Sequence, residues 1–200
     1  LNGALITLPD WLSIGASVLW IVGVTNAVNL IDGLDGLAVG TSSIAAISLL
    51  SILLLEGNAS VTLLVLTAAL AGACFGFLPY NFNPAKIFMG DTGSTFLGFI
   101  LACISIQGPF KMYVAFAVPL LILGLPIFDT AFAIIRRLAK GQSPMQPDRG
   151  HLHHRLMDAG FSHRTTVVLL YGLSAVLAIS GIVLLFSGLA KALVLIIAVV

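Results

Sequence analysis

Of 200 residues, 59% are hydrophobic and 8% charged, and the net charge is +1. Soluble domains carry roughly 25% charged residues, so this composition excludes an ordinary water-soluble domain and places the chain in a bilayer. It also excludes a nucleic-acid partner, which needs lysines and arginines gathered into a strongly basic face.

Apolar stretches cover residues 11–30, 37–55, 61–80, 94–106, 112–138, 165–186 and 189–200. They predict an all-α polytopic membrane protein of about seven transmembrane helices, with residues 1–200 forming a single integral-membrane domain. Spanning the hydrocarbon core takes roughly 20 residues, so the fourth stretch predicts a tilted or partly buried helix and the last one a truncated helix. The chain starts at Leu1 rather than Met and ends within an apolar run, which predicts the C-terminal part of a longer protein. Cys74 and Cys103 lie inside apolar runs without metal-ligand spacing and are expected to be packing residues.

Polar residues collect in two alternating sets of connections. Residues 26–35, 80–95 and 136–164 make one set, and 56–60, 107–111 and 186–188 the other. Two helices separate successive members of the first set, so these share one membrane face. That face holds Lys86, Arg136, Arg137, Lys140, Arg149, Arg155 and Arg164, seven of the nine basic residues, while Lys111 and Lys191 fall opposite. Cytoplasmic loops carry the excess of basic residues, so the first set is expected in the cytoplasm and the protein in the cell membrane.

Along the chain, the first unusual segment is TNAVNLIDGLDGLAVG, with Asn26, Asn29, Asp32 and Asp35 at three-residue spacing. Carboxylates at the edge of hydrocarbon are costly to ionise without a cation, so the stripe is a candidate site; an Asx-rich helix end stopped by Gly33 and Gly36 is the plainer reading. The second segment is YNFNPAKIFMGDTGSTFLG. Here Asp91 could ligate a hard cation, and Thr92, Gly93 and Ser94 could offer backbone N–H groups to phosphate, although GDTGS also reads as an ordinary turn and helix cap. Asn81 and Phe88 could hold a base by hydrogen bonds and stacking, with interfacial packing the alternative for Phe88.

Asp129 follows in PIFDTAFAIIRRLAK, ~12 Å along a helix from Arg137 at ~1.5 Å per residue. Pro119 and Pro126 are expected to kink or break that helix, and Asp129 either closes the site or pairs with a buried donor. Last comes DRGHLHHRLMDAGFSHR, where Arg149, His151, His153, His154 and Arg155 form a compact set of donors suited to phosphate oxygens. A zinc site and a solvated basic loop facing headgroups are the rivals there.

NAVNLIDGLDGLA and FMGDTGS, in this order and topology, resemble signatures of the polyprenyl-phosphate N-acetylhexosamine-1-phosphate transferases, a family that includes the MraY enzymes. PDRGHLHHRLMDAGFS is similar to the WecA/TagO-like branch, and the match runs through essentially the whole chain. The resemblance implies a single catalytic domain that transfers an N-acetylhexosamine 1-phosphate from a UDP-sugar, by default UDP-GlcNAc, to undecaprenyl or another polyprenyl phosphate. It implies release of UMP, initiation of a cell-envelope glycan, and dependence on Mg2+, with Mn2+ as a substitute. It also implies Asn29 and Asp91 as metal ligands, Asp32 and Asp35 as catalytic residues, and Asn26, Asn81, Phe88, Arg149, His151, His153 and His154 as substrate-binding residues. Asp32 is the better candidate for deprotonating or orienting the acceptor phosphate, and Asp35 is expected to lie near the uridine.

The family also has a paired-aspartate motif on an earlier helix. No adjacent Asp-Asp occurs here, which is expected if that helix precedes Leu1, and the missing pair then competes with Asp32 for the role of general base. The partners expected are the UDP-sugar, the lipid phosphate and the membrane, with the oligomeric state open, a homodimer included. The alternatives are an MraY-type UDP-MurNAc-pentapeptide phosphotransferase and a cation or phosphate transporter, although a transporter needs its polar groups near mid-bilayer.

Overall fold

A computed structural model describes residues 9–108, 116–143, 150–187 and 197. The predicted helix at 189–200, apart from residue 197, and the predicted binding residue Arg149 lie outside the described residues. The chain order is α1 (Asp10–Ile31), α2 (Leu37–Glu56), α3 (Val61–Asn81), α4 (Gly90–Gln107), α5 (Ala117–Ile122), α6 (Gly124–Ala139), α7 (Leu152–Asp158) and α8 (His163–Ser187). Among the described residues there is no strand.

Four of these helices, α1, α2, α3 and α8, are long and apolar enough to cross a membrane. The surface agrees. Trp11, Leu19, Leu55, Val61, Phe132 and Ile135 are all at least 60% exposed, whereas Arg137 on the same helix as Phe132 is only 7% exposed. Apolar side chains facing out and a cation facing in suit a bilayer, where polar groups turn towards the bundle interior. The chain is a multi-pass membrane protein.

The central element is α2, which packs against α3, α4 and α8, while α1 packs against α4 and α6. Small residues set these crossings. A Cβ on Gly98 of α4 would lie 2.7 Å from Thr25 Cα of α1, and one on Gly40 of α2 would overlap the Tyr171 ring of α8. Without bulky side chains the backbones approach closely enough for dispersion contacts to hold helices together in lipid. Hydroxyls inside the bundle return to their own helices: Thr41, Ser43, Ser48 and Thr67 each donate to the carbonyl four residues back at 2.7–2.9 Å. Trp20 of α1 donates to Ser105 Oγ of α4 at 3.0 Å, across the bundle.

Two details differ from expectation, the start of α4 and a helix in the basic loop, and one expected break is present. First, α4 begins at Gly90 rather than residue 94, so Asp91, Thr92 and Gly93 form its first turn; Gly90 enters at φ +65°, which only glycine adopts freely. Second, the basic loop carries the short helix α7. The expected break divides the predicted 112–138 stretch into two helices that meet at Leu123, between Pro119 and Pro126, because Pro126 has no N–H to continue the ladder. A second apolar core, of Ile31, Leu34, Leu37, Ala38, Leu125, Val167 and Leu170, packs against Phe82, Met89, Leu152 and Tyr171 and so supports the connections at one end of the bundle.

Candidate active site

The three polar connections of the first set meet at that end. The turn between α1 and α2 carries Asp32 and Asp35, the loop between α3 and α4 carries residues 82–89, and α7 brings the histidines.

Asp35 is held from the second loop. Its Oδ2 accepts from Asn83 Nδ2 at 3.0 Å and from the Ala85 N–H at 3.1 Å. Burial works to raise this carboxyl, but the Ala85 and Asn83 hydrogen bonds, with His163 nearby, outweigh it and hold the group below its ordinary value. Asn81 locks the same corner. Its Oδ1 accepts from the Gly36 N–H at 3.1 Å and its Nδ2 donates to the Ile87 carbonyl at 3.0 Å, so an asparagine 3% exposed satisfies both loops. Arg164 at the start of α8 donates to the Asn83 carbonyl at 2.9 Å, and the Tyr171 hydroxyl donates to the Gly36 carbonyl.

Asp32 is the opposite case. Burial first, then the negative charges of Asp91 and Asp35, push its carboxyl above the ordinary value. Sixty-two residues separate Asn29 from Asp91, yet Asn29 Nδ2 reaches Asp91 Oδ1 at 3.3 Å and Ser94 Oγ at 2.9 Å. Asp32, Asp35, Asn81, Phe88 and Asp91 line one cavity of about 320 Å3, with Gly33, Met89 and Gly90 completing its wall. Phe88 is 73% exposed, leaving a ring face free at the cavity rim. Asn26 does not join them: its amide donates back to the Val22 carbonyl at 2.8 Å on its own helix.

The histidines stand behind this cavity. His153, 2% exposed, presses on Gly33, where an added Cβ would lie 2.6 Å from its Nε2. Its ring stacks on His151 at 5.8 Å and 10°, and meets His154 at 4.2 Å and 44°. Burial first, then His154, pushes the His153 imidazole down to about 4, so it is neutral at physiological pH. His151 bonds through Nδ1 to Asp129 Oδ2 at 2.8 Å. Asp129 in turn lines a second cavity, about 520 Å3, walled by Leu125, Phe128, Phe132, Ile135, Leu173 and Leu177 with Arg136 and Arg155 at its polar end. The guanidinium of Arg136 occupies the place a Cβ would take on Gly150. The histidine stack thus links an acidic cavity to an apolar groove.

Among the described residues no three His, Cys, Asp or Glu side chains converge to hold a metal ion, and the histidines stack instead of forming the zinc centre their spacing left open. Magnesium asks for less, since it is held by one or two carboxylates and fills its remaining positions with water and substrate phosphates. An exposed Asp91 beside Asn29, with the charges of Asp32 and Asp35 close by, is a hard-oxygen donor set of that kind. Sequence reasoning missed the partners that hold these groups: Asn83 and Ala85 on Asp35, Ser94 on Asn29, and His151 on Asp129. No spacing rule reaches from residue 129 to 151, and only the unexplained carboxylate in an apolar helix signalled that a donor was needed.

Clustered carboxylates, a histidine stack and an apolar groove thus meet at one end of a helical membrane bundle. The model of glycosyl transferase family 4 matches residues 1–109, and the chain belongs to that family. It is 50% identical over 87% of its length to a Bacillus subtilis protein named "Probable undecaprenyl-phosphate N-acetylglucosaminyl 1-phosphate transferase", covering 49% of that protein. It is 36% identical over 78% of its length to the undecaprenyl-phosphate alpha-N-acetylglucosaminyl 1-phosphate transferase of Escherichia coli, covering 44% of it. It is 35% identical over 90% of its length to the phospho-N-acetylmuramoyl-pentapeptide-transferase of Desulforudis audaxviator, covering 52% of it. The chain spans about half the length of the curated relatives it matches.

Proposed function

We propose that the protein to which this chain belongs transfers an N-acetylhexosamine 1-phosphate, by default GlcNAc 1-phosphate, from a UDP-sugar to a polyprenyl phosphate and releases UMP. The observation that carries this reading is the pairing of an acidic cavity with an apolar groove across the histidine stack. One takes a nucleotide diphosphate with its cation and the other a lipid. The 50% identity to the GlcNAc-named protein of Bacillus subtilis, against 35% to the pentapeptide-named one, supports the donor.

In this reading Asn29 and Asp91 hold Mg2+, whose charge, when bound, offsets the repulsion between two phosphate substrates. Phe88 offers its exposed face to the base, with Asn81 and Asp35 fixing the loop beneath it. Asp32, its carboxyl held above the ordinary value by burial and by the charges of Asp91 and Asp35, orients the acceptor phosphate or takes its proton. His151 and His154 contact the diphosphate with Arg149, while the neutral His153 spaces their helix from Gly33. About seven membrane-crossing helices in this stretch, with these loops in the cytoplasm, would bring a soluble nucleotide sugar and a membrane lipid together.

The test uses the full-length protein in membranes with UDP-GlcNAc and polyprenyl phosphate. Asp91→Asn is expected to lower turnover by about 10³-fold or more while the protein still inserts, since it replaces the anionic ligand of the proposed Mg2+ with a neutral amide. Near-normal turnover in that variant refutes the metal role.

A further inference from the structure

We infer that Asp129 is a positioning residue acting through His151: its carboxylate fixes which ring nitrogen carries the proton and where the first turn of α7 sits. This rests on the reading above, in which His151 serves the phosphates.

Three contacts support it. Asp129 Oδ2 accepts from His151 Nδ1 at 2.8 Å, Oδ1 accepts from the Leu152 N–H at 2.8 Å, and the two side chains of the pair are each 8% exposed. Leu152 is the first residue of α7, and its N–H is one of the donors that a helix leaves without an internal partner. A helix of seven residues does not hold itself by propensity, so a carboxylate from another helix that takes this N–H anchors it. Both oxygens of one side chain therefore grip adjacent residues. The stack on His153 sets the plane of the His151 ring, and the bond to Asp129 sets its rotation within that plane. Since an ionised carboxylate only accepts, a His151 ring that carries a single proton keeps it on Nδ1 and leaves Nε2 with a lone pair.

Substitution by asparagine separates positioning from bulk. The introduced amide would keep the size of the carboxylate but have one acceptor oxygen. If that oxygen takes the Leu152 N–H, the amide N–H2 faces His151 Nδ1 and drives the ring to the Nε2–H tautomer. In full-length protein carrying 15N-histidine, Asp129→Asn is expected to move the His151 proton from Nδ1 to Nε2 in the NMR spectrum. Turnover should fall by about 10²-fold or more, with KM for the nucleotide sugar within about threefold of wild type. Asp129→Asn on a His151→Ala background should cost nothing further. An unchanged tautomer, near wild-type turnover, or an equal loss on both backgrounds overturns the inference. Wild-type protein that makes no lipid product sinks the proposed function instead, and the tautomer measurement still decides the role of Asp129.

Discussion

Two aspartates three residues apart, Asp32 and Asp35, are driven in opposite directions by their neighbours. What separates them is the second loop, whose Asn83 and Ala85 donors reach Asp35 alone. Asp35→Ala frees both donors and is expected to destabilise the protein by about 1–3 kcal/mol, read as a lower melting temperature in detergent. His153 gives a pH prediction. Its unfolded value is 6.5 and its folded value about 4, so within that window the unfolded chain binds a proton the folded one refuses. Stability therefore falls as pH is lowered from 6.5 towards 4, with a slope approaching one proton, and His153→Phe should flatten that slope in a series of melts. The motif residues were legible in the sequence because carboxylates and amides at a bilayer edge are costly without a purpose. That Asn29 would meet Asp91 was not derivable from spacing, only from the resemblance. The amide of Asn26, which belongs to the same stripe, turns back to Val22, because three-residue spacing drifts around a helix and carries one end of a stripe away from the other.

Helices α1, α2, α3 and α8 were legible almost to the residue, since a long apolar run bounded by glycines or polar residues admits one reading. The first turn of α4 hid in plain glycine and aspartate, and α7 is too short and too polar to show a period. How the helices cross was also hidden, because it is decided by which glycines face a neighbour. Gly98→Ala would put a Cβ 2.7 Å from Thr25 Cα, which is backbone and cannot swing aside. That substitution should cost about 1–3 kcal/mol. Gly76→Ala, in the middle of α3 with nothing within 4 Å of the added atom, should instead be neutral or stabilising by about 0.5–1 kcal/mol. Equilibrium unfolding in mixed micelles compares the two, and equal losses would contradict the crossing described for α1 and α4.

For the whole molecule, the contacts of Asp35 with Asn83, of Arg164 with Asn83 and of His153 with Gly33 bring three distant loops to one end of the bundle. Composition and parity foresaw that gathering; they could not show that the histidines would stand between two cavities. Which face of the membrane that end occupies is tested by labelling, with the cytoplasm proposed from the excess of basic residues. With Cys74 and Cys103 replaced by serine, a single cysteine at Lys140 should react with an impermeant maleimide only in inside-out vesicles, and one at Asn58 only in right-side-out vesicles. Labelling of both from the same side would contradict the topology. The central claim concerns the bond that breaks. Transfer of a phosphosugar leaves UMP, whereas transfer of the sugar alone leaves UDP. The deciding measurement is the nucleotide released when the full-length protein converts UDP-GlcNAc and polyprenyl phosphate. UMP in equal amount with a lipid-linked diphosphate sugar, formed with Mg2+ and stopped by EDTA, is the result expected; release of UDP, or no lipid product with any UDP-sugar, contradicts the account.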